Sequence, residues 1–312
     1  MQLIKGDCLI ESDNIPSGSV DLILTDLPYG TMIRTGDNNE SLVKYQDRVK
    51  WDTAIEPTLI YDIAKRILRK NGKMVLFSQE PYTNQLISQS THDIRFNYRA
   101  IWEKDKFGVA LGATNNMVSY YEDILVYTKH FESENNDDNP CKSYAVKVFN
   151  FIDKPMPYIN KFYGNSNLSH FHSNGKQFRL CTEQLYQNLI RDFEIDKMDG
   201  FIEYPILRGL NDAYKSSFSS TFNLWEGTKY KSNILKYKRD YDGYHPTQKP
   251  VLLLEDLIKT FSNEGNLVVD LTMGSGSTGI ACINTNRQFI GIEKDDNNFE
   301  IAKNRINLHT IQ

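Results

Sequence analysis

Short apolar runs alternate with helical periodicity in the first part of the chain. The predicted strands of this part are Leu3–Lys5, Val20–Thr25, Lys73–Ser78, Tyr98–Glu103 and Asp123–Thr128. Between residues 59 and 68, apolar residues recur at helical spacing, with Pro57 near the start and Asn71-Gly72 as a stop. Strands that alternate with helices predict an α/β domain.

The same alternation returns near the C-terminus. The predicted elements there are a helix at Val251–Phe261, a strand at Asn266–Asp270, a helix at Ser277–Asn286, a strand at Gln288–Glu293 and a helix at Asp296–Leu308. Residues 130–228 lack this pattern, and only Glu183–Asp196 has a helical period. We therefore expect an α/β domain made of residues 1–129 and 229–312, with a separate module at 130–228 between its halves.

Composition excludes several classes of protein. The chain has 312 residues, of which 40% are hydrophobic and 24% charged, values ordinary for a globular protein. No apolar run is long enough to span a membrane, and the N-terminus has no signal-peptide pattern, so a cytoplasmic protein without membrane partners is expected. Four well-separated cysteines and the His170/His172 pair give no metal-site signature. The net charge of −4 gives no support to nucleic-acid binding.

A glycine-rich turn follows the predicted strand Asn266–Asp270. This strand ends in an acid, passes through Gly274-Ser275-Gly276 and opens a helix at Ser277. Glycines allow close approach of the backbone to a ligand, and a helix N-terminus offers free N–H groups. The next strand ends at Glu293, where an acid is placed to accept hydrogen bonds from a ribose. The pattern predicts a nucleoside-containing cofactor, although such a turn alone is often only a tight connection.

The second candidate site is the turn Asp26-Leu27-Pro28-Tyr29, directly after the predicted strand Val20–Thr25. The exocyclic amine of a base is a poor nucleophile, because its lone pair is delocalised into the ring. Two acceptors, the Asp26 carboxylate and a main-chain carbonyl such as that of Leu27, would hold that lone pair toward an electrophile. Pro28 stiffens the turn, and Tyr29 offers a flat face for a flipped base. The plain alternative is a turn with a helix-capping Asp.

Together the two turns resemble the amino-group DNA methyltransferases, whose signature is an Asp-Pro-Pro-Tyr tetrad plus a Gly-x-Gly cofactor loop. Because the tetrad precedes the loop, the chain resembles the circularly permuted beta class of that family. Five further stretches agree: Gly6-Asp7-Cys8, Trp102-Glu103-Lys104, Glu122–Val126, the segment from His245 to Pro250, and Phe289–Glu293. Two departures are Leu27, at the first Pro of the tetrad, and Leu271-Thr272, at the usual Pro-Phe.

The resemblance implies a Rossmann-like methyltransferase sheet that is mostly parallel with an antiparallel edge strand, helices on both faces and an inserted target-recognition module. It implies methyl transfer from S-adenosylmethionine to adenine N6 in double-stranded DNA by base flipping. The catalytic residues would be Asp26, Leu27, Pro28 and Tyr29. The cofactor-binding residues would be Asp7, Cys8, Asp26, Thr247, Lys249, Asp270, Thr272, Gly274, Ser275, Gly276, Ser277, Thr278 and Glu293, with Lys249 expected at the methionine carboxylate.

Alternatives remain open from the sequence. Cytosine N4 is the main rival, although the family more often has Ser at the position of Asp26 for that target. Methylation of RNA or protein and a non-catalytic DNA-binding module are further alternatives. The resemblance also implies a homodimer as the assembly, a cognate restriction endonuclease as a candidate partner, and a bacterial or phage-infected host cell.

Overall fold

The computed structural model describes residues 1–30, 52–107, 117–130, 139–163, 167–172, 178–216, 218, 222–241 and 248–310. The chain divides into two compact units. One consists of residues 1–130 and 219–312, and the other of residues 131–218. Each has its own hydrophobic core.

The larger unit is built on a sheet of eight strands in the order β1-β8-β7-β2-β3-β5-β4-β6. The strands are β1 (Gln2–Lys5), β2 (Val20–Asp26), β3 (Leu68–Ser78), β4 (Ile94–Glu103), β5 (Tyr121–Lys129), β6 (Ile234–Lys236), β7 (Leu267–Asp270) and β8 (Gln288–Glu293). Neighbouring strands from β1 to β3 are parallel, whereas β5 is antiparallel to both β3 and β4. The mixed Rossmann-like sheet is confirmed, but the antiparallel strand is interior. The strand at the edge next to β4 is β6, which pairs with β4 in parallel. The sequence did not predict this strand.

Helices cover both faces of this sheet. They are α1 (Cys8–Glu11), α2 (Pro57–Ile67), α3 (Tyr82–Ser88), α9 (Val251–Phe261), α10 (Ser277–Asn284) and α11 (Asp296–Thr310), while α4 to α8 belong to the smaller unit. Alternation along the strands explains the two faces. In β2, Ile23 packs with α2, whereas Leu22 and Leu24 pack with α9 and α10. Because both faces are covered, β2 is buried almost throughout, as expected of a central parallel strand.

The smaller unit is helical in its described residues. Its helices are α4 (Pro140–Ile152), α5 (Met156–Tyr163), α6 (Asn167–Phe171), α7 (Glu183–Phe193) and α8 (Tyr204–Ser216). Sequence periodicity predicted only the helix at α7. A buried pair of tyrosines anchors the core, since the Tyr144 and Tyr186 hydroxyls lie 2.5 Å apart and Tyr186 donates to the Ile202 carbonyl at 2.6 Å.

The C-terminal boundary of the expected module differs from that of the smaller unit. Residues 222–228, placed with the module from sequence, contact α9 of the larger unit. Asn223 donates from its backbone to the Thr260 carbonyl at 2.8 Å, and the Trp225 indole donates to Asp256 at 2.9 Å. No helix in the described parts of the chain is long and apolar enough to cross a membrane.

Candidate active site

The turn after β2 lies at the carboxyl end of a central strand, between β3 and β7. Buried Asp52 holds it in place. One oxygen of its carboxylate accepts hydrogen bonds from the Tyr29 and Gly30 backbone N–H groups, at 2.9 and 3.0 Å. Gly30 has φ of +70°, a left-handed conformation that glycine adopts without strain. Parallel sheets of this type bind their ligands at the carboxyl ends of strands, so the turn stands where a reactive site is expected.

Both carboxylate oxygens of Asp26 are engaged. The Tyr29 hydroxyl donates to Oδ1 at 2.5 Å, and the Lys249 ammonium pairs with Oδ2. Burial raises the pKa of Asp26, against the opposing attraction of Lys249, and the negative charge of Glu122 raises it further. For Lys249 the two carboxylates outweigh burial, and its pKa is raised, so the lysine carries its charge.

A second buried ion pair adjoins the first. Glu122 receives Lys249 on Oε2 at 3.1 Å and Lys104 on Oε1 at 2.5 Å, and the Tyr29 hydroxyl lies 3.5 Å from Oε2. The Lys104 and Lys249 side chains are only 2% and 6% exposed. Two carboxylates therefore balance two ammonium groups in a poorly hydrated cluster, in which removal of one charge would leave another without compensation.

The glycine loop joins β7 to α10 beneath the end of β8. Gly274 and Gly276 have φ of +51° and +80°, and a Cβ at Gly276 would lie 3.1 Å from the Cβ of Ala302. Glu293 binds this loop, because its Oε2 accepts from the Gly274 N–H at 2.9 Å while Oε1 accepts from the Asp295 N–H at 2.8 Å. Burial raises the pKa of Glu293. The structure therefore places Glu293 next to the glycine loop, and its hydrogen bonds to a ribose stay a prediction.

Asp270 connects the loop to the turn after β2. Its carboxylate accepts from the hydroxyls of Thr278 at 2.6 Å and Thr25 at 2.8 Å, and from the Thr272 N–H at 3.1 Å. Thr272 in turn donates from its hydroxyl to the Asp26 main-chain carbonyl at 2.9 Å. Burial raises the pKa of Asp270 to about 6.

Asp7 and Cys8 lie at the start of the short helix α1. The Asp7 carboxylate caps this helix by accepting from the Leu9 N–H at 3.0 Å, and it pairs with the exposed Lys294 at 2.8 Å. Cys8 is buried, and burial raises its pKa to about 12, which makes the thiol a packing group rather than a nucleophile. No cluster of potential metal ligands occurs among the described residues.

Most of the predicted site residues line one cavity of about 980 Å³. The predicted residues that line it are Asp7, Cys8, Asp26, Pro28, Lys249, Asp270, Thr272, Gly274, Ser275, Ser277, Thr278 and Glu293. Leu27 is buried in the core and Gly276 packs against α11, so neither lines the cavity. Tyr29 borders it through Asp26. Thr247, with His245 and Pro246, lies outside the described residues.

Three residues that the structure places around the turn after β2 received no role from the sequence. Asp52 binds the turn itself, Glu122 contacts Lys249 and Tyr29, and Lys104 contacts Glu122. Glu122 and Lys104 belong to stretches that carry the family resemblance. Glu122 could have been found from the sequence, because it is an acid next to the apolar part of β5. A charged side chain that is buried in this way needs a partner of opposite charge. Lys249 was expected at the cofactor's carboxylate, whereas in the structure it pairs with Asp26 and Glu122.

Comparison with known proteins identifies the family of this chain. The family model described as DNA methylase, for N6 and N4 methyltransferases, matches residues 20–304. The DNA adenine methyltransferase YhdJ of Escherichia coli (strain K12) is 26% identical over 310 residues, which are 98% of this chain and 82% of that protein. The Type II methyltransferase M.HpaI of Haemophilus parainfluenzae is 25% identical over 98% of this chain and 74% of its own length.

Among solved structures, the M1.HpyAVI–SAM complex superposes with a TM-score of 0.50 at 19% identity, covering 97% of this chain and 98% of the other. At this level of sequence identity, the structural similarity is evidence for the fold alone. The family match, however, extends over both halves of the larger unit and includes both turns of the site. This chain therefore belongs to the N6/N4 DNA methylase family and is a DNA methyltransferase.

Proposed function

We propose that this enzyme transfers the methyl group of S-adenosylmethionine to N6 of an adenine in double-stranded DNA. The single observation that carries the proposal is the position of the Asp26 carboxylate on the wall of the same cavity as the glycine loop and Glu293. A methyl donor bound at the loop would share a cavity with the acceptor that orients the amine. A relative named as an adenine methyltransferase supports adenine as the target.

The cavity suits S-adenosylmethionine in size and charge. Its volume of about 980 Å³ lies at the upper end of small-molecule sites, which leaves space for a base beside the cofactor. Seven acidic residues line it, against two lysines, a balance that favours a ligand with a sulfonium and an ammonium group: Asp7, Asp26, Glu56, Asp270, Glu293, Asp295 and Asp296 against Lys249 and Lys294. Asp7, Glu293 and the loop from Gly274 to Ser277 would hold the cofactor.

S-adenosylmethionine supplies a methyl group on a positively charged sulfur, and the C–S bond breaks as the N–C bond forms. The protein's part is to prepare the nitrogen. Asp26 accepts a hydrogen bond from the amine and stabilises the positive charge that develops on it. After transfer, the nitrogen releases one proton to water and becomes a neutral secondary amine. The turn, held by Asp52 and Thr272, keeps this acceptor in place.

The helical unit at 131–218 is proposed to read the DNA sequence. Lys229, Lys231, Lys236, Lys238 and Arg239 follow it in the chain, and this basic stretch is a candidate for phosphate contacts. Among them, Lys231 is only 8% exposed and pairs with Asp256, so it is a poor candidate for that contact. We further expect the enzyme in the cytoplasm of a bacterial or phage-infected host cell, as a homodimer and with a cognate endonuclease as a candidate partner.

The identity of the modified nucleoside tests the proposal. DNA methylated by the purified enzyme with isotope-labelled S-adenosylmethionine is digested, and its nucleosides are separated by mass spectrometry. N6-methyladenine is expected, and the Asp26→Ala variant should yield none. Label in N4-methylcytosine would move the target to cytosine. Label only in RNA or protein, or cofactor binding without transfer to any substrate, would overturn the proposal.

A further inference from the structure

The arrangement of Lys249 raises a problem for the proposed reaction. A target amine needs an oxygen of Asp26 as acceptor, yet Lys249 covers Oδ2 and the Tyr29 hydroxyl covers Oδ1. An ammonium bound to Asp26 also cancels the negative charge that should stabilise the methylated nitrogen. At least one of these two groups must leave Asp26 before transfer.

Among the residues that the structure describes, Glu122 is the only other carboxylate that contacts Lys249. The Lys249 ammonium is buried between the Phe77 ring, 5.1 Å from the ring centre, and the Tyr29 ring, 5.8 Å away. Leaving a buried ammonium unpaired costs several kcal/mol, so Lys249 does not simply withdraw from Asp26. Glu122 lies 3.1 Å from the same nitrogen and offers it a second carboxylate.

Lys104 keeps Glu122 ready for this exchange. It binds the other oxygen of Glu122, at 2.5 Å, and attraction from Lys104 and Lys249 overcomes burial and lowers the pKa of Glu122. Glu122 therefore stays ionised although it is buried. Since two carboxylates face two ammoniums, Lys249 passes from one acid to the other without change in the total charge of the cluster.

We propose that Glu122 is a positioning residue for methyl transfer, which takes Lys249 from Asp26 when the target amine arrives and thereby frees the acceptor. This role rests on the proposed function and assigns Lys249 to the control of Asp26. Lys104 holds Glu122 in place. In the absence of a target base, the Lys249–Asp26 pair keeps the acceptor neutralised.

The variants Glu122→Gln, Lys249→Met and their combination test the exchange, with methyl transfer measured at saturating cofactor and DNA. Glu122→Gln leaves Lys249 on Asp26, so kcat should fall at least tenfold while the Kd for S-adenosylmethionine and the KM for DNA stay near the wild-type values. Adding Lys249→Met to this variant removes the blocking cation and should restore part of the lost kcat. Glu122→Asp, which keeps the charge, should lose less than Glu122→Gln.

The pH profile of kcat separates positioning from a merely structural role. The titratable or charged groups near Asp26 are Tyr29, Glu122, Lys249 and Asp270, while Lys104, Asp123 and, beyond Lys104, Arg239 surround Glu122. Glu122→Gln removes a negative charge that raises the pKa of Asp26. The fall of kcat on the acid side of the profile, the acid limb, should therefore move to lower pH. Lys249→Met removes the cation and should move it to higher pH, with substantial kcat remaining above that limb.

Three results would overturn the exchange. The first is Glu122→Gln with wild-type kcat and acid limb, and the second is a double variant no more active than Glu122→Gln. The third is a Lys249→Met variant that is as inactive as Asp26→Ala at every pH. If Glu122→Gln fails to fold, this third measurement is sufficient to test the exchange. A wild-type enzyme that methylates no DNA amine would instead refute the proposed function, so the two failures are distinct.

Discussion

The Thr272 hydroxyl donates a hydrogen bond to the main-chain carbonyl of Asp26 at 2.9 Å, which joins the glycine loop to the turn after β2. The same hydroxyl lies 2.9 Å from that of Thr25, which donates to Asp270. Thr272 stands where the family usually has Phe, so this contact comes from a departure from the family pattern. The loop and the turn therefore position each other.

Replacing Thr272 tests this connection. Thr272→Val keeps the shape and removes the donor, and a net hydrogen bond is worth about 0.5–1.5 kcal/mol. If the free energy of this hydrogen bond stabilises the transition state for methyl transfer, its loss should lower kcat by roughly two- to tenfold. Thr272→Ser keeps the hydroxyl and should retain activity. The matched control is Thr285→Val, whose hydroxyl binds the Ala281 carbonyl within α10, at a distance from the turn. Equal kcat for Thr272→Val and wild type would show that the contact does not position Asp26.

Removal of the Asp26 charge should abolish turnover while cofactor binding survives. The developing positive charge exists only in the transition state, so Asp26→Asn and Asp26→Ala should lose about a hundredfold or more in kcat. Cofactor affinity should change little, because the proposed cofactor contacts to Glu293 and the glycine loop stay intact. Tritiated methyl transfer and calorimetry measure the two quantities. Near-wild-type turnover by Asp26→Ala would rule out the proposed mechanism.

Glu293 should contribute to cofactor affinity. Glu293→Ala removes a charged acceptor worth about 1.5–3 kcal/mol, so the Kd for S-adenosylmethionine should rise by roughly ten- to 150-fold. Part of that loss comes from the Gly274 N–H, which Glu293 also binds. Glu300→Ala, an exposed acid on α11, is the control and should leave the Kd unchanged. Unchanged affinity in a folded Glu293→Ala variant would remove this residue from the site.

Asp270 predicts a dependence of stability on pH. Burial raises its pKa from 3.8 to about 6, so the folded state binds this proton more tightly than the unfolded state does. Its contribution is then most favourable below about pH 4 and is lost as the pH rises through 6. The loss amounts to about 3 kcal/mol for a difference of roughly two pKa units.

The comparison with Asp270→Asn isolates this group, because the other titrating residues are common to both proteins. Between pH 4 and 7 the free energy of unfolding of Asp270→Asn should rise relative to wild type by up to about 3 kcal/mol. Urea titrations at several pH values measure it. A difference that does not change with pH would mean that Asp270 is ionised in the fold throughout this range.

The sequence predicted the sheet better than the cluster around Asp26. The helix Val251–Phe261 and the strand Gln288–Glu293 have their predicted bounds, because periodicity and length define buried elements of a layered fold. In the smaller unit, helices such as α4 were missed. Their apolar residues are interrupted by Asn, Ser and Lys, and burial against neighbouring helices stabilises them more than periodicity reveals.

The contacts of Lys249 could not be predicted, because they join residues far apart in the chain. Asp26 and Glu122 come from β2 and β5, two strands separated in the sheet by β3, and Lys249 precedes α9. The family pattern placed each stretch near the site without stating which charges pair. Those pairings depend on side-chain positions to within about an ångström, which a pattern of residue types does not contain.

Tyr29 gives the last prediction, and here the hydroxyl and the ring should have opposite effects. The ring is proposed to stack on the flipped base, a contact worth roughly 1–3 kcal/mol. Tyr29→Ala should therefore raise the KM for DNA by about five- to 150-fold. The hydroxyl donates to Asp26 at 2.5 Å, so it competes with the target amine for Oδ1. Tyr29→Phe removes the competitor and keeps the ring, and its kcat should equal or exceed that of wild type.

Methyl transfer over a range of DNA concentrations separates the two effects of Tyr29, with 2-aminopurine fluorescence at the target position as a direct readout of base flipping. Tyr82→Phe is the matched control. Its hydroxyl, next to the Tyr29 ring, donates to the Ile55 carbonyl at 2.6 Å and does not touch Asp26. It should change neither kcat nor flipping. A Tyr29→Phe variant as inactive as Tyr29→Ala would give the hydroxyl a necessary part in transfer. The hydrogen bond from the Tyr29 hydroxyl to Oδ1 would then be part of the active arrangement of Asp26. Only the departure of Lys249 from Oδ2 would then free Asp26 for the target amine.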